Sequence, residues 1–172
     1  MQEIKYIQVW PQDEKMCRTF EELVYAYIAE MNEHSHRPLP EKYQKKWIDC
    51  MIAAQGAKDC HLEVCWLGEE PLGFLYGRVD HEGDAGFVKP GYGYILEFFV
   101  RPAYRRQGHG TRMFKRLESL FRRDGVRKMY LTADPVTGKP FWEALGFAEN
   151  GELSPVNQLN VYERALDECV QA

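Results

Sequence analysis

The chain has 172 residues, 45% hydrophobic and 13% aromatic, and a formal net charge of −4. That is long enough for one substantial core and short for two, so a single domain over residues 1–172 is expected. The first seven residues lack a basic stretch followed by an apolar one, and no window approaches ~18 consecutive apolar residues, which argues against secretion and membrane spanning and for a cytoplasmic location. The five cysteines, Cys17, Cys50, Cys60, Cys65 and Cys169, are odd in number and irregularly spaced, which fits a reducing compartment rather than a disulfide framework.

Ile4–Val9 reads as a first strand, broken by Pro11-Gln12-Asp13 ahead of a helix from Glu14 to Asn32. Along that helix Met16, Phe20, Leu23, Val24, Tyr27, Ile28 and Met31 form an almost unbroken stripe, read as core. His34-Ser35-His36-Arg37-Pro38 is turn-like, and Pro40 opens a second helix to Ala54, with Tyr43, Trp47 and Met51 at spacings of four. Leu62–Leu67 and Leu72–Val79 are strands, joined by the turn composition Gly68-Glu69-Glu70-Pro71. Cys60, His61 and Cys65 have no second ligand cluster at zinc-site spacing, so no metal is expected. A Gly-rich connection from His81 to Gly93 carries His81, Glu82 and Asp84; loops of this length are often functional or mobile.

Tyr94–Val100, YILEFFV, is an apolar run suited to a strand buried on both faces, and Glu97 alone interrupts it. A short basic loop follows, then Gly108 and Gly110, then a helix to Arg123 on which Met113, Phe114, Leu117, Leu120 and Phe121 share one face. Asp124-Gly125 supplies its stop. A helix start exposes unpaired N–H groups and the positive end of its dipole, and glycines there let a phosphate approach the backbone, so the spacing suits a pyrophosphate cradle. Met113 stands where the dinucleotide fingerprint needs its third glycine, and GxxxxGK[ST] is absent, which removes nicotinamide and Walker-type nucleotide readings. Lys128–Ala133 is a further strand, Lys139–Leu145 a short helix ending at Gly146, and Leu159–Arg164 a last strand.

The stretch Arg105-Arg106-Gln107-Gly108-His109-Gly110 resembles the [Q/R]-x-x-G-x-[G/A] acetyl-CoA motif of the GNAT superfamily of N-acetyltransferases. LEFFVRPAYRRQGHGT resembles that family's fourth strand and pyrophosphate loop, MYLTAD its fifth strand, and KPFWEALGF its FYxxxGF helix and turn. The resemblance implies a mixed α/β fold: a strongly twisted sheet of six to seven strands with helices on both faces, its fourth and fifth strands splayed to admit the pantetheine arm. It implies acetyl-CoA as co-substrate, held by Phe99, Val100, Arg105, Arg106, Gln107, Gly108, His109, Gly110, Thr111 and Trp142, and it implies an amine acceptor, small molecule or peptide, met by direct transfer. It places Glu33, His34 and His36 near substrate, a solvated loop being the other reading of that stretch, and the Gly-rich connection would bring His81, Glu82 and Asp84 beside the cleft. Many members of the family dimerise.

Residues 101–128 carry a net +8, which leaves −12 for the remainder. The basic strip coincides with the phosphate loop and has few interleaved aromatics, so it is read as phosphate recognition by Arg101, Arg105, Arg106 and Arg112 rather than nucleic-acid binding. An amine acceptor is mostly protonated at neutral pH and needs a base. Glu97 is that candidate: an unpaired carboxylate in such a strand is costly, burial raises its pKa toward the working range, and the resembling strand of polyamine acetyltransferases carries its base there. The competing role is a structural carboxylate bonded to a neighbouring strand. The oxyanion of the tetrahedral intermediate would be met by backbone N–H at Phe99 or Val100. Trp142 stands where many members have the Tyr that protonates the leaving thiolate, and an indole N–H is too weak an acid for that. Tyr130, water, or unassisted departure are the alternatives, and core packing is the other role for Trp142. A non-catalytic acyl-CoA sensor on the same fold is the second functional reading.

Overall fold

The computed structural model describes residues 1–166, so Cys169 lies outside the described residues. The elements in order are β1 (Ile4–Gln8), α1 (Glu14–His34), α2 (Glu41–Ala54), β2 (Cys60–Leu67), β3 (Glu70–Val79), β4 (Gly93–Val100), a 3₁₀ turn at Pro102–Tyr104, α3 (His109–Arg123), β5 (Lys128–Thr132), α4 (Gly138–Ala144), β6 (Ala148–Leu153) and β7 (Asn160–Ala165). The strands form a seven-stranded mixed sheet in the order β1-β2-β3-β4-β5-β7-β6. No helix among the described residues is long and apolar enough to cross a membrane.

The described residues fold as two compact units, 1–76 with 97–113, and 77–96 with 114–166. In the first unit β1 pairs antiparallel with β2 from Ile4↔Leu67 to Gln8↔Glu63. Helix α1 is capped by Asp13, whose carboxylate accepts from Met16 N at 3.0 Å, as a helix start with unpaired N–H groups requires. Its buried residues are Met16, Phe20, Leu23, Val24 and Ile28. The helix runs two residues past the expected Asn32 and takes Glu33 and His34 into its last turn; the Asn32 side chain bonds Leu39 N and Leu39 O at 2.9 and 3.1 Å, pinning the connection that follows. Helix α2 buries Ile48, Met51 and Ile52, whereas Tyr43 is 50% exposed. The expected Tyr43–Trp47–Met51 stripe is therefore core only at its far end.

The hairpin between β2 and β3 turns on two residues, Gly68 and Glu69, where a four-residue link was expected. Gly68 takes φ 64°, a left-handed conformation that glycine adopts without steric cost. Strand β3 has six consecutive buried residues from Leu72 to Gly77, the continuous burial of a strand covered on both faces.

In the second unit β4 and β5 share a parallel ladder at Gly93↔Met129 and Tyr94↔Tyr130, where it ends. β5 pairs antiparallel with β7 from Lys128↔Ala165 to Thr132↔Val161. β7 pairs with β6, whose register shifts between Glu149 and Leu153. β6 was not expected from sequence: AENGEL is exposed along almost its whole length and so lacks the period-two apolar signal. The apolar face of α3 lies down on glycines. A Cβ on Gly77 or Gly93 would come within 2.8 Å of the Phe121 ring.

The tightest constraint is at Gly73 in the first unit, where a Cβ would lie 2.0 Å from the Phe99 carbonyl oxygen and 3.1 Å from Val100 Cα. No side-chain rotamer relieves a clash with backbone, so β3 sets how the end of β4 is held. Gly73→Ala should lower unfolding free energy by about 3 kcal/mol or more, read as a fall in the denaturant midpoint, while Gly83→Ala, with nothing within 4 Å but φ 93°, should lose only the smaller cost of a left-handed alanine, about 1 kcal/mol.

Candidate functional site

Strand β4 alternates about Glu97. Gly93, Ile95 and Phe99 point with it to the more buried face, while Tyr94, Leu96, Phe98 and Val100 are partly open. Glu97 itself is half-buried, so it is neither sealed from solvent nor freely hydrated. Helix α1 supplies its partner: the Tyr27 hydroxyl donates to Glu97 Oε2 at 2.5 Å. The other carboxyl oxygen, Oε1, has no donor among the described residues. The Tyr27 ring is set edge-on to Phe74 at 5.6 Å and 78° and tilted against Phe99 at 5.5 Å, and Phe20 braces Phe74 edge-on at 5.2 Å. Burial raises the Glu97 pKa and the Tyr27 bond lowers it; burial wins, and the carboxyl titrates at about 7.

One turn along α1, Glu30 takes a 2.7 Å ion pair from Arg105 Nη2. Arg105 also donates through Nε to the Val100 carbonyl at 2.8 Å, and its guanidinium lies over the Phe99 ring at 5.6 Å. This departs from the phosphate role expected of Arg105, because two protein acceptors already hold the guanidinium. Arg101 Nη1 donates to Pro71 O at 3.1 Å and Arg112 Nη2 to Gln2 O at 2.9 Å. Of the four arginines only Arg106 has no protein partner among the described residues; it is exposed.

The loop that carries Arg106 has unusual backbone. Arg106 takes φ 63° and Gly108 φ 81°, values that a side chain makes costly. Nothing lies within 4 Å of a Cβ built on Gly108, so the space above the loop is open. Helix α3 starts at His109, and the first N–H groups of a helix have no partner within it. Gln107 Nε2 folds back to Ala103 O at 3.1 Å, Thr111 is exposed, and Gly110 lies within the first turn. His109 is 7% exposed and its Nδ1 has no bonding partner. Strained turn, open space, unpaired N–H groups and an unsatisfied imidazole nitrogen are together a fit for an anionic group.

The second unit contains another carboxylate–phenol pair. Asp80 is fully buried and accepts from the Tyr130 hydroxyl, Arg78 Nε at 2.9 Å and Lys89 N at 2.8 Å. Its own N–H reaches Tyr92 O, and its carbonyl receives Gly91 N. Asp80 thereby closes the Gly-rich connection, which is pinned at both ends. Burial, then the bond to Asp80, push the Tyr130 phenol far above its ordinary range, so Tyr130 is a poor proton donor. Asp84 is likewise engaged, accepting His81 N at 2.8 Å, while Glu82 is exposed. In the first unit Glu33 and His34 are exposed on α1, and neither bonds Glu97. Trp142 is 7% exposed and packs edge-on against Phe141, Phe147 and Phe114 at 4.8, 5.4 and 5.9 Å, which is the packing role. Sequence reasoning missed Tyr27 as a polar partner because it sits inside an apolar stripe. It also missed Glu30 and Asp80, whose only signal was a carboxylate beside a strand or in a helix.

A family model described as the acetyltransferase (GNAT) family matches residues 21–147. No curated protein matches the sequence. The fold is similar to that of an acetyltransferase from Thermus thermophilus, at TM-score 0.69 and 20% identity over 96% of this chain and 100% of that one. It is similar to the PaiA N-acetyltransferase from Thermoplasma acidophilum in complex with coenzyme A, at TM-score 0.66 and 14% identity over 95% and 99%. The ribosomal-protein-S18-alanine N-acetyltransferase from Escherichia coli follows at TM-score 0.56 and 15% identity over 98% and 97%.

Glu97 has a signature that needs no substrate. Its folded pKa of about 7 exceeds the ordinary 4.5, so between those values the folded chain binds more protons than the unfolded one, and rising pH destabilises it. Urea unfolding at stepped pH should show wild type losing up to about 1.4 kcal/mol per pH unit across that window relative to Glu97→Gln. The figure is an upper bound because the side chain keeps some contact with water. Parallel curves for the two proteins would mean that burial does not perturb this carboxyl.

Proposed function

Because the chain belongs to the acetyltransferase (GNAT) family, we propose that it transfers the acetyl group of acetyl-CoA directly to a primary amine of a small cationic molecule or a peptide, with Glu97 as the base. The observation that carries this reading is the carboxyl of Glu97 on β4, half-buried, titrating at about 7 and with one oxygen undonated. A group poised there is about half ionised at neutral pH and basic enough to take a proton from an ammonium. Its negative charge also attracts the cation it must deprotonate.

Acetyl-CoA supplies an acyl carbon activated as a thioester. The loop and the start of α3 would hold its pyrophosphate through the N–H groups from Arg106 to Thr111 and through His109, with Arg106 as the adjacent free cation. Arg105 contributes by fixing the loop to Glu30 and to the Val100 carbonyl rather than by touching phosphate. The end of β4, at Phe99 and Val100, would present backbone N–H to the carbonyl oxygen as it gains charge. Trp142 contributes packing, and Tyr130 is excluded as thiolate donor by its bond to Asp80. Water or unassisted departure of the thiolate remains. The odd number and irregular spacing of the cysteines support a cytoplasmic setting.

The test is acetyl-CoA-dependent thiol release against polyamines, aminoglycosides, amino acids and short peptides. At least one amine should raise the rate above the acceptor-free level. Glu97→Gln should then lower kcat by about 100-fold while the acetyl-CoA Kd stays within about 2-fold of wild type. Intact coenzyme A binding with no acetyl transfer to any amine would favour the sensor reading instead.

A further inference from the structure

We infer that Tyr27 is a positioning residue for this transfer: its hydroxyl fixes the Glu97 carboxylate so that the second oxygen faces the acceptor amine, and it sets the pH range in which the base works. The inference rests on the reading of Glu97 as the base.

Three observations carry it. The Tyr27 hydroxyl donates to Oε2 at 2.5 Å, which leaves Oε1 as the oxygen to receive a proton and removes the carboxyl's freedom to rotate. The phenol ring is held by Phe74 and Phe99, two core residues exposed by 0% and 3%, so the direction of the hydroxyl is set by packing rather than by the bond it makes. Finally, α1 is tied to β4 a second time: Glu30, three residues after Tyr27, holds Arg105, which holds the carbonyl of Val100, three residues after Glu97. Two attachments between the same helix and strand fix their separation, and with it the phenol–carboxylate distance.

The charged groups around Glu97 leave Tyr27 in control of it. On α1 the phenol is the direct partner, and Glu30 is neutralised by Arg105. On the loop Arg105 faces Glu30 and the Phe99 ring. On β3, Phe74 packs on the Tyr27 ring and does not titrate, and beside burial the Tyr27 bond is what shifts the carboxyl. A donated hydrogen bond favours the ionised carboxylate; without it the base should hold its proton to higher pH.

The experiment compares wild type, Tyr27→Phe and Glu97→Gln. Phenylalanine keeps the ring that packs on Phe74 and Phe99, and an acetyl-CoA Kd within about 2-fold of wild type will show that the fold and loop survive. In Tyr27→Phe the acid limb of the kcat/KM profile should move up by about one pH unit, with activity about 5-fold lower at neutral pH and the deficit shrinking as pH rises. The Glu97 carboxyl carbon, followed by NMR titration with labelled glutamate, should move by the same amount, a readout that needs no acceptor. An unmoved carboxyl titration and limb in Tyr27→Phe, with Glu97→Gln still inactive, would overturn the role of Tyr27 and leave the base in place. Full activity in Glu97→Gln would overturn both.

Discussion

A carboxylate on the inward side of a strand must have a donor, and the packing of α1 against β4 brings one to Glu97. Glu97 breaks an otherwise apolar run, and in a low-dielectric setting its charge is uphill. Tyr27 supplies one hydrogen bond, less than burial demands, so the group is left near neutrality in its preference for a proton. Had two or three donors surrounded it, the carboxyl would be an ordinary anion. With none, it would hold its proton to higher pH. Its usefulness lies in being under-satisfied.

Asp80 gives the contrast within the same chain. It too is bonded by a tyrosine, but Arg78 and the Lys89 amide complete its shell, and it has no exposure at all. A carboxylate with three donors and no exposure is held as a plain anion, with no route by which a substrate could reach it. The pair of motifs, a phenol on an acid, is chemically the same at both places. Number of donors and access to solvent separate a residue that closes a loop from one suited to move a proton.

Much of this was legible in the amino-acid order. The period of Met113, Phe114, Leu117, Leu120 and Phe121 located α3, and an acid among apolar neighbours marked Glu97, because both signals are local and strong. β6 was not legible: an exposed edge strand has no buried face to imprint a pattern. The helix end at His34 was missed by two residues, since its stop depends on Asn32 reaching Leu39, a contact across seven positions. Tyr27 was visible only as one more large residue in a stripe. Amphipathic aromatics carry their polar end invisibly until a partner from another element is in place. The same limit applied to Arg105, where a motif position predicted what the backbone does and not where the guanidinium goes.

The engagement of those arginines bears on how an anion would find the loop. Arg105 is paired with Glu30 and Arg101 lies 3.9 Å from Glu70, so part of the net +8 of the stretch is offset close by, whereas a bond to a neutral carbonyl leaves the charge of Arg112 intact. A residual positive charge therefore stands around the loop, beside its amide dipoles and the exposed guanidinium of Arg106. Dipolar attraction falls off faster than that of a full charge and acts only near contact. An anionic ligand is thus drawn toward the loop by charge and held at contact by dipoles, and its affinity is governed by how well the strained turn at Arg106 and Gly108 is already shaped before the ligand arrives.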